Sequence, residues 1–188
     1  SQVSGAFGGG ALFSMNDNGT GFQIHHQFGD GTNDALQPFG HLTPFSGRFY
    51  GVTNLGGTFN DGVIFSVRDD GADYTIHHHF GSEGNDGNPR GRLISDGSGN
   101  FYGLTAYGAF TVHGTIFKFD SVSNQVSVLH QFSGSDGQHP QNNNLLLLDG
   151  KLYGMTTNGG QNGKGTIFKI NTDGSDFTIL HEFTNAVD

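Results

Sequence analysis

The chain repeats itself about every 52 residues, and this period constrains the fold more than any other feature. Three landmarks carry it: a Gly-x-x-Phe segment beginning at Gly10, Gly62, Gly114 and Gly165, a His-x-Phe segment at His26, His78, His130 and His181, and a Tyr-Gly-x-Thr segment at Tyr50, Tyr102 and Tyr153. Internal repeats with a fixed period of this length are typical of stacked or propeller architectures. We place the units at approximately residues 1–37 (partial), 38–88, 89–139 and 140–188 of a single repeat domain.

Each complete unit predicts four short strands. In the last unit they are 145–148, 151–156, 165–170 and 176–183, and Asp-Gly pairs mark two of the hairpin turns. The chain contains 33 glycines, which suits many tight turns, and no window shows the 3.6-residue apolar period of a helix. The chain therefore predicts an all-β fold.

The fourth strand of each unit alternates most clearly. Strict alternation puts Phe22, Ile24, His26 and Phe28 on one face of the first copy. In the second copy it puts His77 and His79 on one face and His78 on the other, so that His77 and His79 could share a metal ion.

A long connection leads from each His-x-Phe strand to the next unit, as between blades of a β-propeller of four-stranded antiparallel blades. The strand represented by 145–148 is then innermost and the His-x-Phe strand outermost. A β-trefoil is the alternative, but it uses three units. The chain gives three blades and two outer strands, which leave unpaired strand edges. We expect more of the same chain, or another subunit, to complete the ring.

The segment DGKLYGMTTNGGQNGKGTIFKINTDGSDFTILHEF, residues 149–183, resembles the GloVer-type tandem repeat of bacterial choice-of-anchor proteins. The resemblance rests on the DG-x-x-YG-x-T, Gly-Gly, GTIFK and LH-x-F elements and on the Gly/Asp/Pro linker. It extends over nearly the whole chain. It implies an extracellular β-propeller carried on a cell-surface anchor, and it offers no catalytic residues.

The net charge of −9 argues against binding nucleic acid or an anionic membrane surface, because both require a basic face. The chain has no cysteine, which excludes disulfides and thiolate metal sites. No apolar run is long enough for membrane insertion. An extracellular or cell-surface location is expected.

Three groups of residues are candidates for a role beyond the fold. We interpret the repeated His26, His78, His130 and His181 as structural, because architecture is needed in every copy and a catalytic group only once. Asp30, Asp86 and Asp136 in the linkers are candidate calcium ligands, although tight turns favour Asp in any case. Aromatic and histidine side chains in Gly-rich loops are candidates for stacking on sugars or contacting another subunit: Phe7, Phe59, Tyr107, Phe110 and His113.

No nucleophile–base or nucleotide-binding motif stands out, so we expect a non-enzymatic module with a structural, assembly or adhesive role, for example in a surface fibre. The open ring leads us to expect a homo-oligomer or more of the same chain. A carbohydrate-binding propeller is the alternative, and an enzyme domain acting on polysaccharide is a third. No cofactor other than calcium is expected.

Overall fold

The computed structural model describes residues 6–31, 33–81, 87–107, 113–140 and 144–184. Within these ranges the chain forms fourteen β-strands and no helix. A helix long and apolar enough to cross a membrane is therefore not found in this part of the chain.

The strands form four antiparallel sheets in which each strand pairs with the next one along the chain. Sheet I contains β1 (Ala11–Ser14) and β2 (Gln23–Gln27). Sheet II contains β3 (Ala35–Phe45), β4 (Arg48–Gly56), β5 (Val63–Arg68) and β6 (Thr75–His79). Sheet III contains β7 (Gly87–Ser95), β8 (Asn100–Tyr107), β9 (Thr115–Asp120) and β10 (Gln125–Gln131). Sheet IV contains β11 (Leu146–Leu148), β12 (Lys151–Met155), β13 (Thr166–Asn171) and β14 (Thr178–Glu182).

Three complete four-stranded blades and one outer pair confirm the predicted propeller architecture over the trefoil. The first strands of successive sheets meet: β7 contacts β3 and β11. The hydroxyl of Thr43 in β3 donates to the carbonyl of Leu93 in β7. The backbone N–H of Arg92 in β7 donates to Asn144 Oδ1, 2.8 Å away, just before β11.

The core is divided into three layers, one at each junction between sheets. A phenylalanine just after the last strand of sheets I, II and III is almost fully buried, and its ring lies edge-on to a phenylalanine of the next sheet. The ring centroids are 5.5 Å apart for Phe28 and Phe65, 5.3 Å for Phe80 and Phe117, and 5.4 Å for Phe132 and Phe168. The repeated His-x-Phe and Gly-x-x-Phe landmarks are therefore the two sides of one contact.

Every fourth strand contains a β-bulge at the same point of the repeat. In sheet II, Ile64 pairs with His78 and Phe65 pairs with Ile76, which leaves His77 as the extra residue. The counterparts of His77 in the other sheets are His25, Leu129 and Leu180. A bulge of this kind re-aims the side chains that follow it.

The bulge means that the predicted single face of the fourth strand is wrong. Before the bulge, Tyr74 and Ile76 pack into the layer shared with the preceding sheet I. After it, Phe80 packs into the layer shared with the following sheet III. One outer strand therefore contributes to two cores, because the extra residue breaks the period of two.

The glycine of each Tyr-Gly-x-Thr segment makes room for a ring on the neighbouring strand. Gly103 pairs directly with Phe117, and a methyl group at Gly103 would stand 2.4 Å from the Phe117 Cζ atom. The same pairing joins Gly51 to Phe65 and Gly154 to Phe168. A glycine inside a strand commonly marks such a close approach.

Candidate functional site

Of the four repeated histidines, His26, His78 and His130 lie where one sheet meets the next, whereas His181 is exposed on sheet IV. Each ring stands edge-on to the phenylalanine two residues later, with centroids 4.8 to 5.0 Å apart. His130 also stacks flat on Phe177 of the next sheet, at 3.8 Å, and His26 stacks flat on Tyr74 of sheet II, at 3.7 Å. The stacks of His26 and His130 therefore join neighbouring sheets.

Two of these histidines also face an aspartate of the following linker, and we call this arrangement the His–Asp clasp. His130 Nε2 is 2.9 Å from Asp136 Oδ2. The N–H of Ser133 donates to the other carboxylate oxygen over 2.8 Å. Burial lowers the pKa of His130 below its usual value, and the hydrogen bond and charge of Asp136 partly oppose this shift.

The first unit contains a looser clasp. His26 Nε2 is 3.4 Å from Asp34 Oδ1, and the N–H of Gly29 donates to Asp34 Oδ2 over 2.6 Å. The Asp34 side chain is 9% exposed. Sequence reasoning did not single out Asp34, although it stands four residues before Pro38 as Asp136 stands before Pro140.

The candidate calcium ligands have different surroundings. Asp136 belongs to the clasp between sheets III and IV. Asp30 is exposed and lies beside the clasp between sheets I and II. Asp86 lies outside the described residues. Since each linker serves a different junction, Asp30 and Asp136 do not share one site, and calcium binding stays a prediction for each linker separately.

His77 and His79 do not form the shared metal site that alternation predicts. His77 Nδ1 is 2.9 Å from Asn124 Oδ1 of sheet III, and its Nε2 is 2.7 Å from Ser66 Oγ. His79 Nδ1 instead accepts the N–H of Thr58 in the loop of its own sheet. The bulge at His77 turns the two rings toward different neighbours, and burial lowers the pKa of both.

The loop aromatics emerge at one edge of the propeller, where second strands end and third strands begin. Phe7, Phe59 and Tyr107 are 57%, 49% and 40% exposed, and they belong to sheets I, II and III in turn. The ring of Tyr107 stands edge-on to His139, 5.6 Å away. His113 is half-buried, and its Nδ1 has no hydrogen-bond partner in the described part of the chain. Phe110 lies outside the described residues.

Sheets I and IV each expose an apolar face that the sheets between them bury. On sheet I, Phe22 is 61% exposed, whereas its counterparts Tyr74 and Phe177 pack against the preceding sheet. On sheet IV, Leu180 is 47% exposed, whereas its counterpart Leu129 packs against the following sheet. The remaining exposed apolar side chains of these two sheets are Phe13, Met15, Ile24, Leu146, Leu148 and Met155.

The repeat landmarks now have structural roles, and a sequence model of the Gloeobacter/Verrucomicrobia repeat matches residues 1–188. The chain belongs to this repeat family. The predicted resemblance is thereby confirmed. Comparison with curated protein sequences finds no match.

Solved structures of β-propeller proteins share the fold. A chain of the nidogen/laminin complex superposes with a TM-score of 0.62 at 15% identity, over 94% of this chain and 57% of that one. A TolB-like protein from Agrobacterium tumefaciens gives 0.57 at 16% identity, over 94% and 58%. The tricorn protease gives 0.54 at 15% identity, over 93% and 16%. The chain thus spans less than three fifths of each of these proteins, and the likeness concerns the fold.

Proposed function

We propose that this repeat is a non-enzymatic structural module that associates with a second copy of itself through the apolar faces of sheets I and IV, in an extracellular or cell-surface setting. The observation that carries the proposal is the exposure of Phe22 and Leu180, whose counterparts on the inner sheets pack against a neighbouring sheet. Exposed contiguous apolar surface of this kind commonly marks an interaction site.

The two faces are complementary because they are the two halves of a contact already made three times within the chain. Sheet I presents Phe22 and Ile24, the counterparts of residues that receive the preceding sheet. Sheet IV presents Leu180 and Phe183, the counterparts of residues that enter the following sheet. A contact between sheet IV of one copy and sheet I of another is head-to-tail, and such contacts generate closed rings or open filaments.

Light scattering at increasing protein concentration, followed by electron microscopy, tests the proposal. The wild-type chain should associate into rings or filaments. Leu180→Asp places a charge on the exposed face of sheet IV and should leave single folded chains. Val122→Asp is the matched control, because Val122 is 86% exposed on the turn before β10, away from either face, and it should associate like wild type.

Two results would reject the proposal. The first is a wild-type chain that remains a folded single chain at every concentration tested. The second is association of Leu180→Asp to the same extent as wild type, since the contact would then use another surface. If these faces are covered only in a longer protein with more repeats, they contact further blades of the same chain and not a second copy.

A carbohydrate-binding role is the second candidate, and the row of exposed rings at one edge of the propeller favours it. Phe7, Phe59 and Tyr107 present one ring for each of three sheets. Aromatic faces pack on the apolar faces of sugar rings, and repeated weak sites gain affinity through multivalency. Phe59→Ala should weaken binding in a glycan screen and leave assembly intact, whereas Phe22→Ala should have the opposite effect.

A further inference from the structure

The His–Asp clasp of the first unit differs from that of the third unit in its His–Asp distance, in the ring that the histidine stacks on and in the charges beside it. In the third unit, His130 lies within hydrogen-bond distance of Asp136 and stacks on the ring of Phe177. In the first unit the equivalent nitrogen and oxygen are 3.4 Å apart. A tyrosine, Tyr74, takes the place of the phenyl ring, and a second carboxylate, Asp30, stands beside the pair.

Two polar atoms at this clasp, His26 Nε2 and Tyr74 Oη, are enclosed by protein without a well-formed hydrogen bond among the described residues. Asp34 Oδ1 faces the nitrogen at 3.4 Å. Burial of unpaired polar groups is costly, and such groups in folded proteins call for a specific explanation. Burial raises the pKa of Tyr74, and the negative charges of Asp34 and Asp30 raise it further.

We propose that His26, Asp30 and Asp34 bind a divalent cation of the zinc type at the junction of sheets I and II. One ligand atom from each residue lies within 4.8 Å of the other two. One imidazole nitrogen with two carboxylate oxygens is a donor set that suits Zn²⁺, whereas Ca²⁺ prefers oxygen ligands alone. The cation gives His26 Nε2 a partner and neutralises two adjacent carboxylates.

The surroundings of the three ligands support the assignment. The flat stack on Tyr74, with ring centroids 3.7 Å apart, fixes the orientation of the His26 imidazole. The N–H of Gly29 holds the second oxygen of Asp34. Partners of this kind orient metal ligands and tune their affinity. Asp30 is exposed and provides the route of entry from solvent.

A bound cation would have a structural effect. His26 belongs to β2 of sheet I, whereas Asp34 immediately precedes β3 of sheet II. The cation would therefore join the last strand of one blade to the first strand of the next. In the third unit, a direct hydrogen bond from His130 to Asp136 joins the last strand of sheet III to the linker that leads to sheet IV.

The test is calorimetric titration of tag-free, chelator-treated protein with ZnCl₂. The wild-type chain should bind one equivalent, and its melting temperature should rise. Asp30→Asn changes an exposed side chain, so it should fold normally and bind Zn²⁺ at least about ten-fold more weakly. Asp136→Asn alters the other clasp and is the matched control, with wild-type affinity and stoichiometry expected. Long-range ¹H–¹⁵N NMR should identify His26 Nε2 as the perturbed nitrogen.

Several outcomes would overturn the site. They are the absence of Zn²⁺ binding, unchanged affinity in Asp30→Asn, loss of binding in Asp136→Asn, and perturbation of another histidine in the NMR spectrum. A titration with CaCl₂ gives a further check. If Ca²⁺ binds more tightly than Zn²⁺ and His26→Gln leaves that binding unchanged, His26 is not a ligand and the proposal is wrong.

Discussion

Replacing the phenylalanine of the His-x-Phe segment by alanine should destabilise the fold far more where another sheet follows than on sheet IV. Phe80 is 0% exposed and contacts Phe117 of the next sheet, with ring centroids 5.3 Å apart. Phe→Ala at a fully buried site costs about 3–5 kcal/mol, because contacts are lost and a cavity remains. For a chain of this length, Phe80→Ala should lower the melting temperature by about 6–20 °C.

Phe183 is the matched control, because it is the same repeat position on sheet IV without a following sheet among the described residues. Phe183 is only half-buried, and Phe183→Ala should cost about 1 kcal/mol. Both variants are measured by urea unfolding at a concentration where light scattering reports single chains. Equal losses in the free energy of unfolding for the two variants would refute the reasoning. The contribution of the phenylalanine ring to stability would then not depend on packing against a following sheet.

Two further predictions concern the strands themselves. Gly103→Ala should destabilise the fold by about 1–3 kcal/mol in urea unfolding, because the added methyl group meets the Phe117 ring; Gly31→Ala, where nothing lies within 4 Å, should change stability by less than about 0.5 kcal/mol. Burial lowers the pKa of His130 below 6.5 in the folded chain, so the unfolded chain binds more protons at this histidine. The free energy of unfolding should therefore fall as pH drops through 6.5 toward the folded-state pKa, by at most about 1.4 kcal/mol per pH unit for this histidine. His130→Gln should flatten that slope, and an unchanged slope would show that other groups cause it.

The repeat and its strands could be predicted from the sequence because their signals are local. The hairpin turn at Asp149 and Gly150 and the apolar run before it determine the bounds of β11 and β12 to within a residue or two. The blade order follows as well, since a meander of hairpins pairs each strand with its neighbour along the chain. The glycine of the Tyr-Gly-x-Thr segment was visible as a landmark, but its function was not, because the ring that it accommodates lies on another strand.

The candidate site was harder to predict because its partners stand at variable spacing. Asp136 follows His130 by six residues, whereas Asp34 follows His26 by eight. The linker length differs between units, so neither aspartate aligns when counted from its histidine. Counting backward from the proline of each linker would have aligned Asp34 with Asp136, because each stands four residues before its proline. Sequence reasoning chose Asp30 and left out Asp34, which is the aspartate that contacts the histidine.

The bulge explains both the largest error of the sequence reasoning and the behaviour proposed for the module. A period of two would give each outer strand one apolar face, and a blade built that way would cover only one neighbour. The extra residue at His77 and its counterparts divides the strand, so that Tyr74 points to one neighbour and Phe80 to the other. Every blade is then apolar on both sides in the same pattern. Within the described residues, the apolar sides of sheets I and IV are the two without a neighbouring sheet, and the proposed head-to-tail contact would use both.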